Sequence, residues 1–282
     1  MLYEELPPEG PLGELVECFW HAVDRAPRLG RPPEHIVPDG CPELIVHLGD
    51  PFSRQVDGRW RRQGREFLAG TLSRPWSLRA GRVVDTFGIR FRAGALPALF
   101  AVDMRATVDR ELPLVRLTGA PAARRLREAL APSPQLATRA TAATSWLAEE
   151  IGAARRPFDS PCTRAVALIV ASRGGLRVEE IARRLNLSRR QLERAFAAGL
   201  GIGPKLYARI VRLQAALLEI GDEQRAAGVE AALAAGYFDQ SHLLRDFRGL
   251  AGRAATRPRQ ADGEMARHFT DPHRLLALLG GE

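Results

Sequence analysis

The sequence predicts an α+β chain: a small β-rich N-terminal domain, sandwich or barrel-like, with packed helices, followed by an all-α domain with two helix-turn-helix units. Three observations predict it. Short apolar pieces bounded by turn signals fill the first 95 residues, the apolar period becomes helical after Gly94, and one helix-turn-helix pattern recurs about fifty residues after its first occurrence.

The β-rich part is read from its punctuation. Pro38-Asp39-Gly40 is a turn signal before the apolar run Leu44-Ile45-Val46, and Gly49 to Pro51 is another turn. Asp57-Gly58 is a hairpin pair flanked by Val56 and Trp60. Phe67-Leu68 and Trp76 with Leu78 are further short apolar pieces. The clearest strand is Val83 to Phe91, with Val83, Asp85, Phe87, Ile89 and Phe91 on one face and Arg90 and Arg92 on the other.

After Gly94, Leu96 to Phe100, Ala120 to Leu130 and Gln135 to Ala154 are rich in helix formers. Arg155 to Pro161 is a polar, double-proline break. The expected organisation is therefore a domain over 1–154, a linker over 155–161, a helical domain over 162–260 and a tail over 261–282, in which Leu275 to Leu279 makes a short helix.

Within the helical domain, Ile181, Ala182 and Leu185 supply the inner face of a first helix, and Asn186-Leu187 makes the turn. Ser188 stands at an N-cap position, where its hydroxyl accepts from the amides that open a helix. Leu192 and Phe196, four apart, face inward, which leaves Arg189, Arg190, Glu193 and Arg194 on the outer arc. The second unit repeats this. Ala231, Ala232 and Ala235 form the inner face, Gly236-Tyr237-Phe238 the turn, Asp239 the cap, and Leu243 and Phe247 the buried pair. Gln240, Ser241, Leu244 and Arg245 face out, with His242 beside them. Pro204 to Leu218 reads as one helix joining the units, with Tyr207, Ile210, Val211, Gln214, Ala215 and Leu218 as its inner stripe. Two arginine-bearing helices on one rigid connector suit two major-groove segments about 34–36 Å apart.

Charge agrees with that placement. The chain of 282 residues has 41 basic and 33 acidic side chains, net +8, and Lys205 is its only lysine. Residues 161–262 hold 17 basic and 10 acidic groups, so +7 of the net charge falls on about a third of the chain. That asymmetry is the footprint of a nucleic-acid-binding module.

These residues resemble the AraC/XylS family of bacterial transcription regulators. The resemblance is carried by Val178-Glu-Glu-Ile-Ala-Arg-Arg-Leu-Asn-Leu-Ser-Arg-Arg-Gln-Leu-Glu-Arg-Ala-Phe196, Gly203-Pro204-Lys205-Leu206-Tyr207, and Ala232-Leu-Ala-Ala-Gly-Tyr-Phe-Asp-Gln-Ser-His-Leu-Leu-Arg-Asp-Phe-Arg248. It implies a seven-helix DNA-binding domain that activates transcription by recruiting RNA polymerase, in a homodimer on double-stranded promoter DNA. It also implies base contacts from Arg190, Glu193 and Arg194, a phosphate contact from Arg189, and second-unit contacts from Gln240, Ser241, Leu244 and Arg245, with His242 adjacent. The second unit departs from the family pattern: Ala231 replaces a larger aliphatic residue, and Gly252-Arg253-Ala254-Ala255 stands where the family has a proline. Phe19-Trp20, Val37 to Val46 and Phe87 to Ala95 resemble the sensor-side domain of a subset of these regulators, which implies effector binding, dimerisation or both.

Trp20, Trp60 and Trp76, with Phe87, are candidates to line an effector pocket, since such pockets are mostly apolar; a small β-core needs the same residues, and core is the better reading for most of them. Arg90 is a candidate for an anionic effector, with an exposed strand arginine as the default reading. His35, Cys41 and His47, spaced six and six, match no familiar zinc signature and read as a core cysteine with two polar strand residues. Cys162 opens a helix, where the dipole lowers a thiol pKa, yet a structural role is the better reading. No cofactor or metal is expected.

The chain is not expected to be an enzyme. DNA-repair alkyl-transfer proteins with this helix-turn-helix need four zinc-binding cysteines, and Cys18, Cys41 and Cys162 are three and scattered. The alternative to a DNA-binding regulator is a small-molecule-binding or interaction protein whose helical half is a docking surface. No apolar run approaches the roughly 20 residues of a membrane span, and Met1 to Pro11 is acidic and proline-rich, so no secretory signal is expected. The expected setting is the cytoplasm of a bacterium, on the nucleoid through DNA.

Overall fold

The computed structural model of the chain describes residues 1–24, 33–151, 159–220, 237 and 240–252. Its N-terminal part is built from β1 (Leu2–Leu6), β2 (Val16–Asp24), β3 (Glu34–Ile36), β4 (Glu43–His47), β5 (Ser53–Val56), β6 (Arg59–Arg62), β7 (Glu66–Ala69), β8 (Trp76–Arg79), β9 (Val84–Phe91) and β10 (Glu111–Pro113). They form two antiparallel sheets, one of order β1-β2-β9-β4-β7-β10 and one of order β3-β8-β5-β6. The Asp57-Gly58 hairpin joins β5 to β6 with φ of 50° and 75° at its two central residues, the left-handed pair that matches strand twist.

The large sheet is buried on both faces. Phe19, Leu44, Val46, Phe87, Ile89 and Phe91 pack on one side against α1 (Leu96–Leu99), α4 (Ala120–Leu130) and α5 (Leu136–Ile151). Two short helices, α2 (Met104–Thr107) and α3 (Leu114–Thr118), complete this layer. Trp146 of α5 ties the helices together by donating Nε1 to the Ala122 carbonyl at 3.0 Å. The other side, with Cys18, Trp20 and Ala22, faces Trp76 and Leu78 of the small sheet. Trp20 pairs with Gly88, and any side chain at 88 would collide with its indole.

Burial on both faces corrects one expectation. The strand starts at Val84, and Val83, expected on the face of Phe87, Ile89 and Phe91, precedes it and is exposed; the other face is not solvent either, since Arg90 is 0% exposed. The alternation distinguished two faces; it could not reveal that a second sheet covers the charged one.

The helical part begins at α6 (Pro161–Ala171), where Ser160 and Thr163 form a reciprocal capping box. It continues through α7 (Val178–Arg184), α8 (Arg189–Gly199), α9 (Pro204–Ile220) and α10 (Gln240–Asp246), the last running on into a π-helical turn, Phe247–Ala251. The core gathers Ile169, Ile181, Leu192, Phe196, Ile210, Leu213, Leu243 and Phe247, and Val37 and Ala93 of the β domain are buried in it too. The two parts therefore share a core. Most of the expected linker 155–161 lies outside the described residues, as do the 261–282 tail, its Leu275 to Leu279 helix, and Ala231, Ala232, Ala235, Gly236, Phe238 and Asp239 of the second unit. Among the described residues no helix is long and apolar enough to cross a membrane.

Candidate nucleic-acid interface and effector cavity

The first unit is built locally. After α7, Asn186 takes φ of 55°, a left-handed conformation that asparagine tolerates, and the Leu187 amide closes on the Ala182 carbonyl at 2.9 Å. Ser188 then caps α8. Its Oγ accepts from the Gln191 amide at 3.2 Å, and Gln191 Oε1 accepts from the Ser188 amide at 2.7 Å. Leu192 and Phe196 are buried, with the Phe196 ring 5.9 Å from that of Tyr207 on α9. The opposite face carries Arg189, Arg190, Glu193 and Arg194, all exposed.

These four are not equivalent. Arg189 donates Nε to Glu193 at 2.9 Å and Nη1 to Glu179 of α7 at 3.2 Å, and these acids hold its guanidinium more firmly charged than usual. Arg190 and Arg194 make no ion pair among the described residues. They are the cations open to a partner.

In the second unit, Leu243 and Phe247 are buried as their spacing indicates, while Ser241 and Arg245 are exposed. Leu244 and His242 are half-buried; the His242 ring meets Tyr237 edge-on at 5.1 Å. The side chain of Gln240 lies outside the described residues. α10 is tied to α9 by Asp246, whose Oδ1 receives Arg209 Nε at 2.9 Å and Nη2 at 2.8 Å. All described members of the expected α9 stripe are buried: Tyr207, Ile210, Val211, Gln214 and Ala215. Both outward-facing helices thus hang from α9.

A second feature lies between the two sheets: a cavity of about 50 Å³. Trp20, Trp76 and Arg90 line it, so three of the four effector candidates come together. Trp60 does not; it sits on β6 under the guanidinium of Arg79, whose Cζ is 3.9 Å from the ring centroid. Phe87 belongs to the helix-covered face. Cys41 and His47 also line the cavity, whereas His35 is not in its lining and is hydrogen-bonded to Ser77 at 3.1 Å.

Sequence reasoning missed the polar groups of this cavity. Arg90 donates Nε to Glu43 at 2.6 Å and stands 3.5 Å from Asp39. Glu17 accepts from the Cys41 thiol at 3.4 Å. Burial outweighs the nearby Arg90 and pushes both Glu17 and Glu43 up to about 7. Farther along, His47 bridges Thr86 at 3.0 Å and Gln63 at 3.3 Å, and burial pulls its pKa down to about 4, so it is neutral near pH 7. The expectation of an exposed Arg90 is overturned: the side chain is buried, with Glu43 and Asp39 beside its guanidinium. Cross-strand pairing of Glu43 with Arg90 creates the cluster, and single-strand periodicity cannot show it. Cys162 is buried, which pushes its thiol up to about 12, opposite to the lowering expected from a helix start.

The cavity abuts the helical part. The loop that carries Asp39 and Cys41 also meets α9: Gln214 donates Nε2 to the Pro38 carbonyl at 2.6 Å, and Gly40, at φ of 86°, lies flat against Tyr207. A Cβ at 40 would stand 2.5 Å from the Tyr207 ring.

A capped helix with a buried stripe and an arginine-rich face, joined to its neighbour by a tight turn, defines a DNA-binding helix-turn-helix protein. Residues 181–261 match a helix-turn-helix domain family, and this domain is of the AraC type, which marks the chain as a DNA-binding transcription regulator. Residues 4–113 match a family described as a domain of unknown function. No curated protein matches the chain. Among solved structures it is similar to ToxT from Vibrio cholerae, with 11% identity, 84% of this chain and 96% of that one covered, and a TM-score of 0.47. Wild-type ToxT bound to an unsaturated fatty acid is similar at 10% identity over 84% of this chain and 92% of that one, with a TM-score of 0.44. The AraC-like transcriptional activator CuxR is similar at 17% identity over 75% and 85% of the two chains, with a TM-score of 0.30.

Proposed function

We propose that the chain is a non-catalytic, sequence-specific activator of transcription, working as a homodimer with RNA polymerase in the cytoplasm, that reads two successive major-groove segments with α8 and α10. The exposed face of α8 carries this reading: Arg190 and Arg194 project from a helix whose opposite side is locked into the core and whose N-terminus is capped. The major groove admits such a helix, and an arginine fork reads guanine there. Activation, dimerisation and polymerase contact rest on the resemblance to AraC/XylS regulators. Gel shifts with specific and random competitor DNA across a salt series test the reading. Specific binding that weakens steeply with salt is expected; equal binding to all sequences refutes it.

The β domain binds a small-molecule effector in the cavity between its sheets. Regulation needs a ligand that binds two states of the protein differently. Loop 37–41 supplies the contact: it walls the cavity through Asp39 and Cys41 and holds α9 through Pro38 and Gly40. A ligand that moves this loop biases the helix from which both DNA-facing helices hang.

A further inference from the structure

Positive charge in the β domain is concentrated on the small sheet. Residues 53–82 hold eight arginines and two acids, net +6, whereas the rest of the first 160 residues holds 14 basic and 18 acidic groups, net −4. Strand register sorts the eight. Arg54 pairs with the core residue Leu78, so it points inward, where it lies over Trp76 and meets Glu111 at 3.0 Å. Arg74 stands 3.5 Å from Asp109. The other six, Arg59, Arg61, Arg62, Arg65, Arg79 and Arg82, are exposed. Ser53 pairs with Arg62 on one side and Arg79 on the other, which sets these three in a row on the face turned away from the large sheet. Arg65 and Arg82 gather at one end of that row: Arg65 donates Nη1 to the Gly49 carbonyl at 3.2 Å, and the Arg82 amide donates to Asp50 at 3.1 Å. Arg59 and Arg61 lie on β6, the edge strand of the sheet.

Little of this charge is answered within the chain. Among the described residues the only ion pair of the six joins Arg62 to Asp50, at 3.9 Å. The neighbouring acids are engaged elsewhere, Glu66 by Arg127 and Asp85 by Arg139. Arg79 is held by Trp60, whose ring centroid lies 3.9 Å from Cζ, so the guanidinium is positioned without being neutralised. A planar guanidinium presented this way fits phosphate oxygens. The sheet also sits beside the DNA-binding part. Pro75, which precedes β8, packs on Gly252 at the end of the π-helical turn that follows α10; a Cβ at 252 would stand 2.9 Å from the Pro75 ring. From Pro75 to Arg79 is about 13 Å of strand, well under the roughly 34–36 Å of one turn of DNA. Resting on the reading of α10 as a DNA-facing helix, we propose that the outer face of the small sheet is a second, sequence-independent DNA contact, which takes the phosphate backbone of duplex flanking the segment read by α10. The contact adds affinity and salt dependence but no base discrimination, since phosphates carry no sequence information. Because one chain carries both surfaces, the flank is met at high effective concentration once α8 and α10 are seated.

The test uses the full chain and two duplexes carrying the same selected site, one just spanning the two recognised segments and one extended by about 20 base pairs, two helical turns, on either side. Fluorescence anisotropy across a salt series reads affinity. The wild type is expected to bind the long duplex about tenfold more tightly at low salt, with a steeper slope of log affinity against log salt. Arg62→Gln, Arg79→Gln and Arg82→Gln combined are expected to remove that gain and to lower the slope on the long duplex by about 2–3, with affinity for the short duplex unchanged. Arg79→Gln alone is expected to lower the slope by about 1, and serves where the triple variant loses stability. Arg116→Gln, Arg124→Gln and Arg125→Gln combined remove the same charge from exposed positions of α3 and α4 and are expected to leave the gain intact. Equal affinity of the wild type for both duplexes overturns the proposal. Equal losses in the two triple variants overturn it as well, since net charge alone would then be at work. Poly-glutamate that cancels the length gain as effectively as random duplex of equal charge assigns the face to an acidic protein surface instead. Binding to neither duplex is a failure of the α8 and α10 reading itself, and the flanking contact falls with it.

Discussion

Replacing Arg194 by alanine separates DNA reading from folding. The side chain is exposed on α8 and makes no ion pair among the described residues, so its removal leaves no buried group unpaired. Such surface changes shift stability by no more than about 0.5 kcal/mol. Against a cognate base the same arginine contributes about 1–3 kcal/mol of discrimination, a loss of roughly 5- to 150-fold in affinity. Arg189 makes an instructive contrast. Its guanidinium is already engaged by Glu193 and Glu179, and DNA has to displace those partners before gaining its charge. Arg189→Ala is therefore expected to cost less affinity than Arg194→Ala, and to cost it evenly across sequences. Fluorescence anisotropy on a selected site, with in vitro selection on each variant, reads both effects. The reasoning is refuted if Arg194→Ala binds every sequence equally less well, or if selection returns the wild-type site unrelaxed.

Three further outcomes follow from the geometry. Ser188→Ala removes the cap of α8 and is expected to cost about 1 kcal/mol in denaturant unfolding, since the Gln191 amide loses its acceptor. Gln214→Leu leaves the Pro38 carbonyl without its donor from α9 and is expected to cost about 1–3 kcal/mol, lowering the melting temperature by about 2–4 °C per kcal/mol; an unchanged melting temperature denies the contact any role in joining the two parts. Glu17 titrates higher folded than unfolded, so the stability it contributes is fully present below pH 4.5 and is lost as pH rises through about 7. Between pH 8 and 6, unfolding free energy is thus expected to rise more steeply in the wild type than in Glu17→Gln, and parallel curves would contradict the burial of that carboxyl.

The first helix-turn-helix unit was legible because its determinants are local. Ser188, Gln191, Leu192 and Phe196 lie within nine residues, and each acts through the helical period or a cap. The strands were legible where turns bracket them, as at Asp57-Gly58. What pairs with what was not. Glu43 and Arg90 are 47 positions apart and meet only because β4 and β9 are neighbours in register. For the same reason Arg90 read as an exposed strand arginine, Trp60 read as a pocket residue alongside Trp20 and Trp76, and the grip of loop 37–41 on α9 left no trace in any one segment. The second unit is clearest from Leu243 and Phe247 onward, where the inward pair repeats that of α8.

Methylation interference on a selected binding site tests the central claim most directly. Two clusters of major-groove guanine contacts, on one face of the duplex and about 10–10.5 base pairs apart, are the expected pattern. Arg194→Ala should erase contacts from one cluster alone, and Arg245→Ala from the other. A single cluster, or interference spread evenly along the fragment, would contradict the assignment of α8 and α10 as paired readers of DNA.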